Sequence, residues 1–140
     1  MTGWGKDTHN AGTFGFNLVP TYDLRPATYT SDYLYFTSKE IKAHDNSDLD
    51  KFDAEEEDIV NRYDPRGRFP FLFINGQYAL VGSAGYSPGL IDQQDFDSVY
   101  QQLTSGVRND ATEAIRAEAN LITKYICNST GGEPAAACRS

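Results

Sequence analysis

Two cysteines, two histidines and a serine framed by glycines are the residues of this 140-residue chain whose types and spacing suit nucleophilic or metal chemistry. Cys127 and Cys138 stand eleven residues apart near the C-terminal end. The spacing leaves two readings open: a disulfide that staples the tail containing Gly131, Gly132 and Pro134 onto the preceding helix, or two unrelated thiols. No histidine or third cysteine lies close enough in sequence to complete a zinc set, so no metal site is expected. A catalytic dithiol normally takes the form C-x-x-C at a helix N-terminus, where the helix dipole lowers the thiol pKa. Cys127 instead falls near the predicted C-terminal end of a helix, where the field acts in the opposite sense. A staple would point to an oxidising compartment. Asn128-Ser129-Thr130 fits an N-glycosylation acceptor, a triplet that is also common by chance.

Gly85-Tyr86-Ser87-Pro88-Gly89 matches G-x-S-x-G, the nucleophile elbow of α/β-hydrolases. The chemistry excludes it. That elbow needs the backbone N–H following the serine for its oxyanion hole, and Pro88 has none. Both histidines, His9 and His44, precede Ser87, whereas the hydrolase order places the histidine last. They are read as solvated side chains. Arg66 and Arg68 flank Gly67 and suit a surface turn, and the acid run at residues 55–58 lacks the alternation and glycine of a calcium loop. No catalytic residue, cofactor or metal ligand is assigned.

The elements that position these residues follow from pattern. Twelve basic against twenty acidic residues, net −8, argue against a nucleic-acid or anionic-membrane surface. A hydrophobic share of 39% is too high for a disordered acidic chain. No apolar run approaches the roughly 20 residues of a membrane span, and residues 1–20 carry no signal-peptide core. Residues 1–13, with Gly3, Gly5 and Gly12, read as a flexible arm, and residues 14–140 as one domain. Residues 14–19 suggest a strand closed by Pro20, and residues 28–37 a second strand rich in aromatic and β-branched side chains. Tyr29, Tyr33 and Tyr35 there are the candidate partner surface, since tyrosine supplies contact area at low entropic cost. Residues 38–50, polar and acidic, read as a loop or a ragged helix start. Asp53 and Glu56 have capping-box spacing, predicting a helix to about Tyr63 that stops before Pro65, with Ile59, Val60 and Tyr63 facing inward.

Residues 69–74 form a nearly continuous apolar run, as for a strand buried on both faces. Asn75-Gly76 then signals a type I′ turn, and residues 77–82 the return strand. Two helices close the chain, over about 92–104 and 110–127, with Gly106 between them. The order predicts a mixed α/β (α+β) domain.

Residues 64–89 resemble the second half of a thioredoxin fold, in which a strand opening with a cis-proline runs into an antiparallel partner that ends in glycine. Phe69-Pro70 takes the cis-proline position, Asn75-Gly76 the hairpin and Gly82 the glycine. More of the chain, from Thr13 to Cys138, resembles one thioredoxin-like prokaryotic family, domain of unknown function 929. The matching stretches include Gly12-Thr13-Phe14, Tyr29-Thr30-Ser31, Asn61-Arg62-Tyr63-Asp64, Tyr86-Ser87-Pro88 and the Ile126-Cys127 to Cys138 tail. The resemblance implies an incomplete thioredoxin-like fold with a mixed sheet and a proline-led hairpin over about 69–82. It also implies a disulfide between Cys127 and Cys138 and an extracytoplasmic or secreted location.

The departure lies in what is missing. Such proteins carry C-x-x-C upstream, facing the cis-proline, and this chain has no such motif. Without a nucleophilic thiolate no mixed disulfide forms. The expectation is a redox-inert thioredoxin-like domain with a binding or structural role, its partner a second protein or a missing N-terminal segment. The alternative is a fragment of a thiol–disulfide oxidoreductase whose active cysteines lie upstream of Met1. A redox couple formed by Cys127 and Cys138 themselves is the third reading.

Overall fold

A computed structural model of the chain describes residues 5–9, 19–23, 29–42, 47–68, 70–82, 85, 87–92 and 94–139. It divides into two compact units, Met1–Asp53 with Pro88–Arg108, and Ala54–Ser87 with Asn109–Ser140.

In the first unit β1 (Gly5–His9) pairs antiparallel with β2 (Val19–Asp23), His9 opposite Val19 and Gly5 opposite Asp23. Strand therefore occupies part of the segment expected to be an arm. Pro20 lies inside β2, opposite Thr8, instead of closing a strand. Proline is tolerated there because both strands of a two-stranded sheet are edges. Of the strand expected over 14–19, residues 14–18 lie outside the described residues.

The strand expected over 28–37 does not form: none of residues 29–37 is paired in a sheet. Ser31 Oγ accepts hydrogen bonds from the N–H groups of Tyr33 (3.0 Å) and Leu34 (3.2 Å), a local turn that competes with strand pairing. The polar loop beyond carries one bridge, Lys42 opposite Asp48, reinforced by an ion pair between their side chains. A 3-10 helix at Pro88–Ile91 lies against β2 and contributes the buried Ile91.

Helix α1 of the chain, Ala54–Tyr63, belongs to the second unit, and α2, Phe96–Thr104, to the first. α2 starts four residues later than the periodicity predicts, because Asp95 caps it: its carboxylate accepts the Ser98 N–H at 2.7 Å. Val99 is buried, while Tyr100 stacks on Phe96 and stays exposed. Gly106, at φ 76°, stops the helix and lets the Val107 N–H reach the Gln102 carbonyl.

In the second unit β3 (Phe71–Ile74) and β4 (Tyr78–Val81) pair antiparallel, Leu72 opposite Leu80 and Ile74 opposite Tyr78. Asn75 and Gly76 turn the chain with φ of 49° and 68°, and the Gln77 N–H closes on the Ile74 carbonyl at 3.0 Å. Both positive angles are what makes Asn-Gly suitable there. The strand alternation places Phe71 and Phe73 on one face and Leu72, Ile74, Tyr78 and Leu80 on the other. The first face meets α1 through Tyr63, whose ring lies 5.1 Å from that of Phe73. The second meets α3 (Asp110–Ser129) through Tyr78, stacked on Tyr125 at 4.4 Å.

β3 was expected to be buried on both faces, yet all four of its residues are half-buried. Two strands flanked by one helix on each face leave their edges and ends in water. The expected mixed sheet is likewise not what the described residues form, since both sheets are two-stranded and antiparallel. The observed class is mixed α and β.

Helix α3 begins at a reciprocal cap: Asn109 Oδ1 accepts the Thr112 N–H at 2.9 Å and Thr112 Oγ1 accepts the Asn109 N–H at 3.0 Å. It runs two residues beyond Cys127 and ends where Gly131 and Gly132, both at positive φ, turn the Gly132 N–H back to the Cys127 carbonyl at 2.8 Å. α4 (Ala135–Cys138) follows a cis Glu133–Pro134 bond. No helix among the described residues is long and apolar enough to cross a membrane. Replacing Asn109 with Ala should cost about 1 kcal/mol, the usual worth of a cap, read as a lower urea midpoint with an unchanged m-value.

Candidate functional site

The turn that delivers the chain from α1 to the hairpin is organised by Asp64, only 2% exposed. Its carboxylate accepts the Arg68 N–H through Oδ2 and the Arg68 Nε through Oδ1 at 3.1 Å. Between them Gly67, at φ 61°, donates its N–H to the Asp64 carbonyl at 2.9 Å. This loop fixes where β3 starts. Pro70, at that start, is exposed, and its carbonyl accepts the Gly82 N–H at 3.0 Å. Phe69, its predicted partner in the site, lies outside the described residues.

Pro70 lines an open groove of about 290 Å³ between the hairpin and α3. Leu72, Leu80 and Gly82 line its hairpin side, and Leu121 and Ile122 its helix side. Glu118, one turn back on α3, supplies the one ionisable side chain among the lining residues. Its Oε2 accepts the Gly85 N–H at 3.1 Å. A Cβ on residue 85 would sit 3.1 Å from that oxygen, so glycine permits the approach.

Among the described lining residues Glu118 is the one carboxylate, set beside Leu121 and Ile122. It can accept a hydrogen bond or meet a cation at the edge of an apolar surface. The groove is therefore suited to hold an apolar side chain.

The sulfur atoms are engaged elsewhere. Cys127 and Cys138 are bonded, with Cα atoms 5.5 Å apart, and they are the chain's two cysteines. The bond holds α4 against the last turn of α3. Beside it, Asn128 Nδ2 donates to the Tyr78 hydroxyl at 3.3 Å, tying the helix end to β4.

Tyr29, Tyr33 and Tyr35 belong to the first unit and are all exposed, Tyr35 at 93%. Tyr29 meets the Phe36 ring edge-on at 6.2 Å, so the segment keeps an aromatic surface although it is not a strand. Ser87 is exposed and leads into the 3-10 helix, so the strand–turn–helix of a nucleophile elbow is not what surrounds it. His44 lies outside the described residues.

Sequence reasoning names Pro70 and Gly82, and places a helix over 110–127, but misses Glu118 and Gly85 as a pair. The one available signal is helical spacing, which puts Glu118 three and four residues before Leu121 and Ile122 on one face. The chain was compared with protein-family models, curated proteins and solved structures, and nothing matches in any of the three.

Asp64→Ala should remove the acceptor of two Arg68 donors and cost about 2–3 kcal/mol, since hydrogen bonds to a charged group are the strong ones and the buried carboxylate makes both. Thermal or urea unfolding measures it. The Pro70 resonances should shift in the same variant, because the loop that places β3 is released.

Proposed function

We propose that the chain is a redox-inert thioredoxin-like domain, related to domain of unknown function 929, that works outside the cytoplasm as a binding module for a protein segment. The observation that carries this reading is the combination at Pro70: a proline-led hairpin bordering an apolar groove, while both cysteines are bonded to each other at the end of α3. The hairpin supports the fold assignment through its order of proline, Asn-Gly turn and closing Gly82. The disulfide supports the compartment, since such bonds persist where thiols are not kept reduced. The missing thiolate supports binding over exchange, because exchange begins with thiolate attack on a disulfide sulfur. Glu118 at the groove edge favours a segment in which an apolar side chain adjoins a basic one.

Thiol titration of the native protein should return no reactive thiol, and two after denaturation with reductant. The protein should not accelerate insulin reduction by dithiothreitol. Turnover in that assay would overturn the redox-inert reading. Reduction of Cys127–Cys138 should lower stability by up to about 3 kcal/mol, the chain-entropy value for a ring of this size, compared by urea unfolding with and without reductant. Binding is tested with the peptides acetyl-Ala-Leu-Lys-Ala-amide and acetyl-Ala-Leu-Glu-Ala-amide. The lysine peptide should perturb the methyl signals of Leu72, Leu80 and Leu121 more strongly, and no perturbation by either would reject the groove as a binding site.

A further inference from the structure

The end of α3 carries a second constellation that the groove does not use. Asn128, Ser129 and Thr130 form an Asn-x-Thr triplet, and Asn128 is exposed in the last turn of the helix. Tyr125 stands three residues before it on the same helix, a spacing that puts the two side chains side by side. Tyr78 from β4 stacks on Tyr125 with ring centroids 4.4 Å apart and planes 15° off parallel. The Asn128 amide reaches the Tyr78 hydroxyl at 3.3 Å. One residue away, Cys127 is tied to Cys138.

From this geometry we infer that Asn128 is an N-glycosylation site whose first sugar rests on the Tyr78–Tyr125 aromatic pair. The chemical class of the donor is an oligosaccharide linked through its anomeric carbon to a polyprenyl phosphate or pyrophosphate. In the transfer the Asn128 Nδ2 attacks that carbon. The new bond is N–C1, and the bond broken is C1–O to the phosphate. The lipid phosphate leaves with the bonding electron pair, and one amide proton passes to a base of the transferase. The nitrogen keeps its second hydrogen and remains a donor.

Two features make the site more than a chance triplet. Each ring of the stacked pair keeps one face that the other does not cover, and the C–H groups of a sugar ring make apolar contact with such a face. The disulfide next to it belongs to the oxidising compartments in which glycan transfer also takes place. The inference rests on the extracytoplasmic reading but not on the redox-inert one.

The folded tail also sets an order of events. The Thr130 hydroxyl, which a transferase must read, donates within the tail to the Glu133 carbonyl and to the Cys127 carbonyl at 3.4 Å. Transfer must then precede closure of the tail by Cys127–Cys138.

The test is secretion of the full chain, behind a cleavable signal, from a eukaryotic host that glycosylates Asn-x-Ser/Thr, followed by intact-mass measurement. The expected result is a single glycan increment, removed by an amide-cleaving glycosidase, absent in Asn128→Gln and retained in Thr130→Ser. Dithiothreitol in the medium, which delays the disulfide, should raise occupancy. Enzymatic trimming to the first sugar should leave Tm above that of the unglycosylated Asn128→Gln chain, and Tyr78→Ala should abolish that difference. A secreted chain with Cys127–Cys138 closed and Asn128 unmodified, beside a modified control protein, would overturn the site and leave the redox-inert reading untouched. Equal Tm values with and without the sugar would overturn the aromatic platform.

Discussion

A hairpin of two four-residue strands does not hold itself together in water, and the second unit depends on how that problem is met. Alternation along β3 and β4 gives the hairpin two apolar faces, and a helix lies on each. Tyr63 of α1 meets Phe73 on one side, and Tyr125 of α3 meets Tyr78 on the other. The first contact joins neighbouring elements and the second spans 47 residues, and with both in place neither helix need be stable alone. α1 illustrates the point: none of its residues is fully buried, and its ten residues are too few for an isolated helix to persist. The hairpin organises the helices as much as they support it.

The same arrangement explains why the candidate site is a groove. The helix that covers the Leu72–Leu80 face is anchored at its C-terminal end by the tyrosine stack and the Asn128 bond. Toward the Pro70 end the hairpin finishes in Gly82, which brings no side chain to fill the space. Leu121 and Ile122 face that gap, and Glu118 holds the following loop by its Gly85 contact. The groove is what remains when a helix is fixed at one end of a short hairpin and the other end is built from proline and glycine.

What the sequence discloses and what it hides divide along the range of the interactions. Asn75-Gly76 is legible because its turn needs two positive φ angles that few residue pairs supply. The end of α1 is legible because proline restricts the residue before it. Residues 29–37 mislead because β-propensity describes fit to a half-buried sheet, and here the Ser31 hydroxyl captures the backbone first. The cap of α3 escapes because Thr112, where glutamate is the usual signal, closes the box with Asn109. The Glu118–Gly85 contact spans 33 residues, and nothing local to either end announces it. Half-burial of β3 escapes for a related reason: an apolar run reports affinity for a core, not how many strands will share it.

The position of the disulfide bears on what the Pro70 hairpin can do. A thiol is activated where a field stabilises its anion, as at a helix N-terminus. Cys127 sits in the last two turns of a twenty-residue helix, where the carbonyl ends of the peptide dipoles disfavour negative charge. Cys138 closes a four-residue helix that has no side-chain cap and little dipole to offer. Both sulfurs are joined to each other at the end of α3 and its tail, whereas Pro70 stands at the start of β3. On the proposed reading, the proline-led hairpin keeps its architectural task of fixing a strand and shaping a groove. Whatever selectivity the groove has must then come from its leucines and from Glu118, that is, from shape and charge instead of sulfur chemistry.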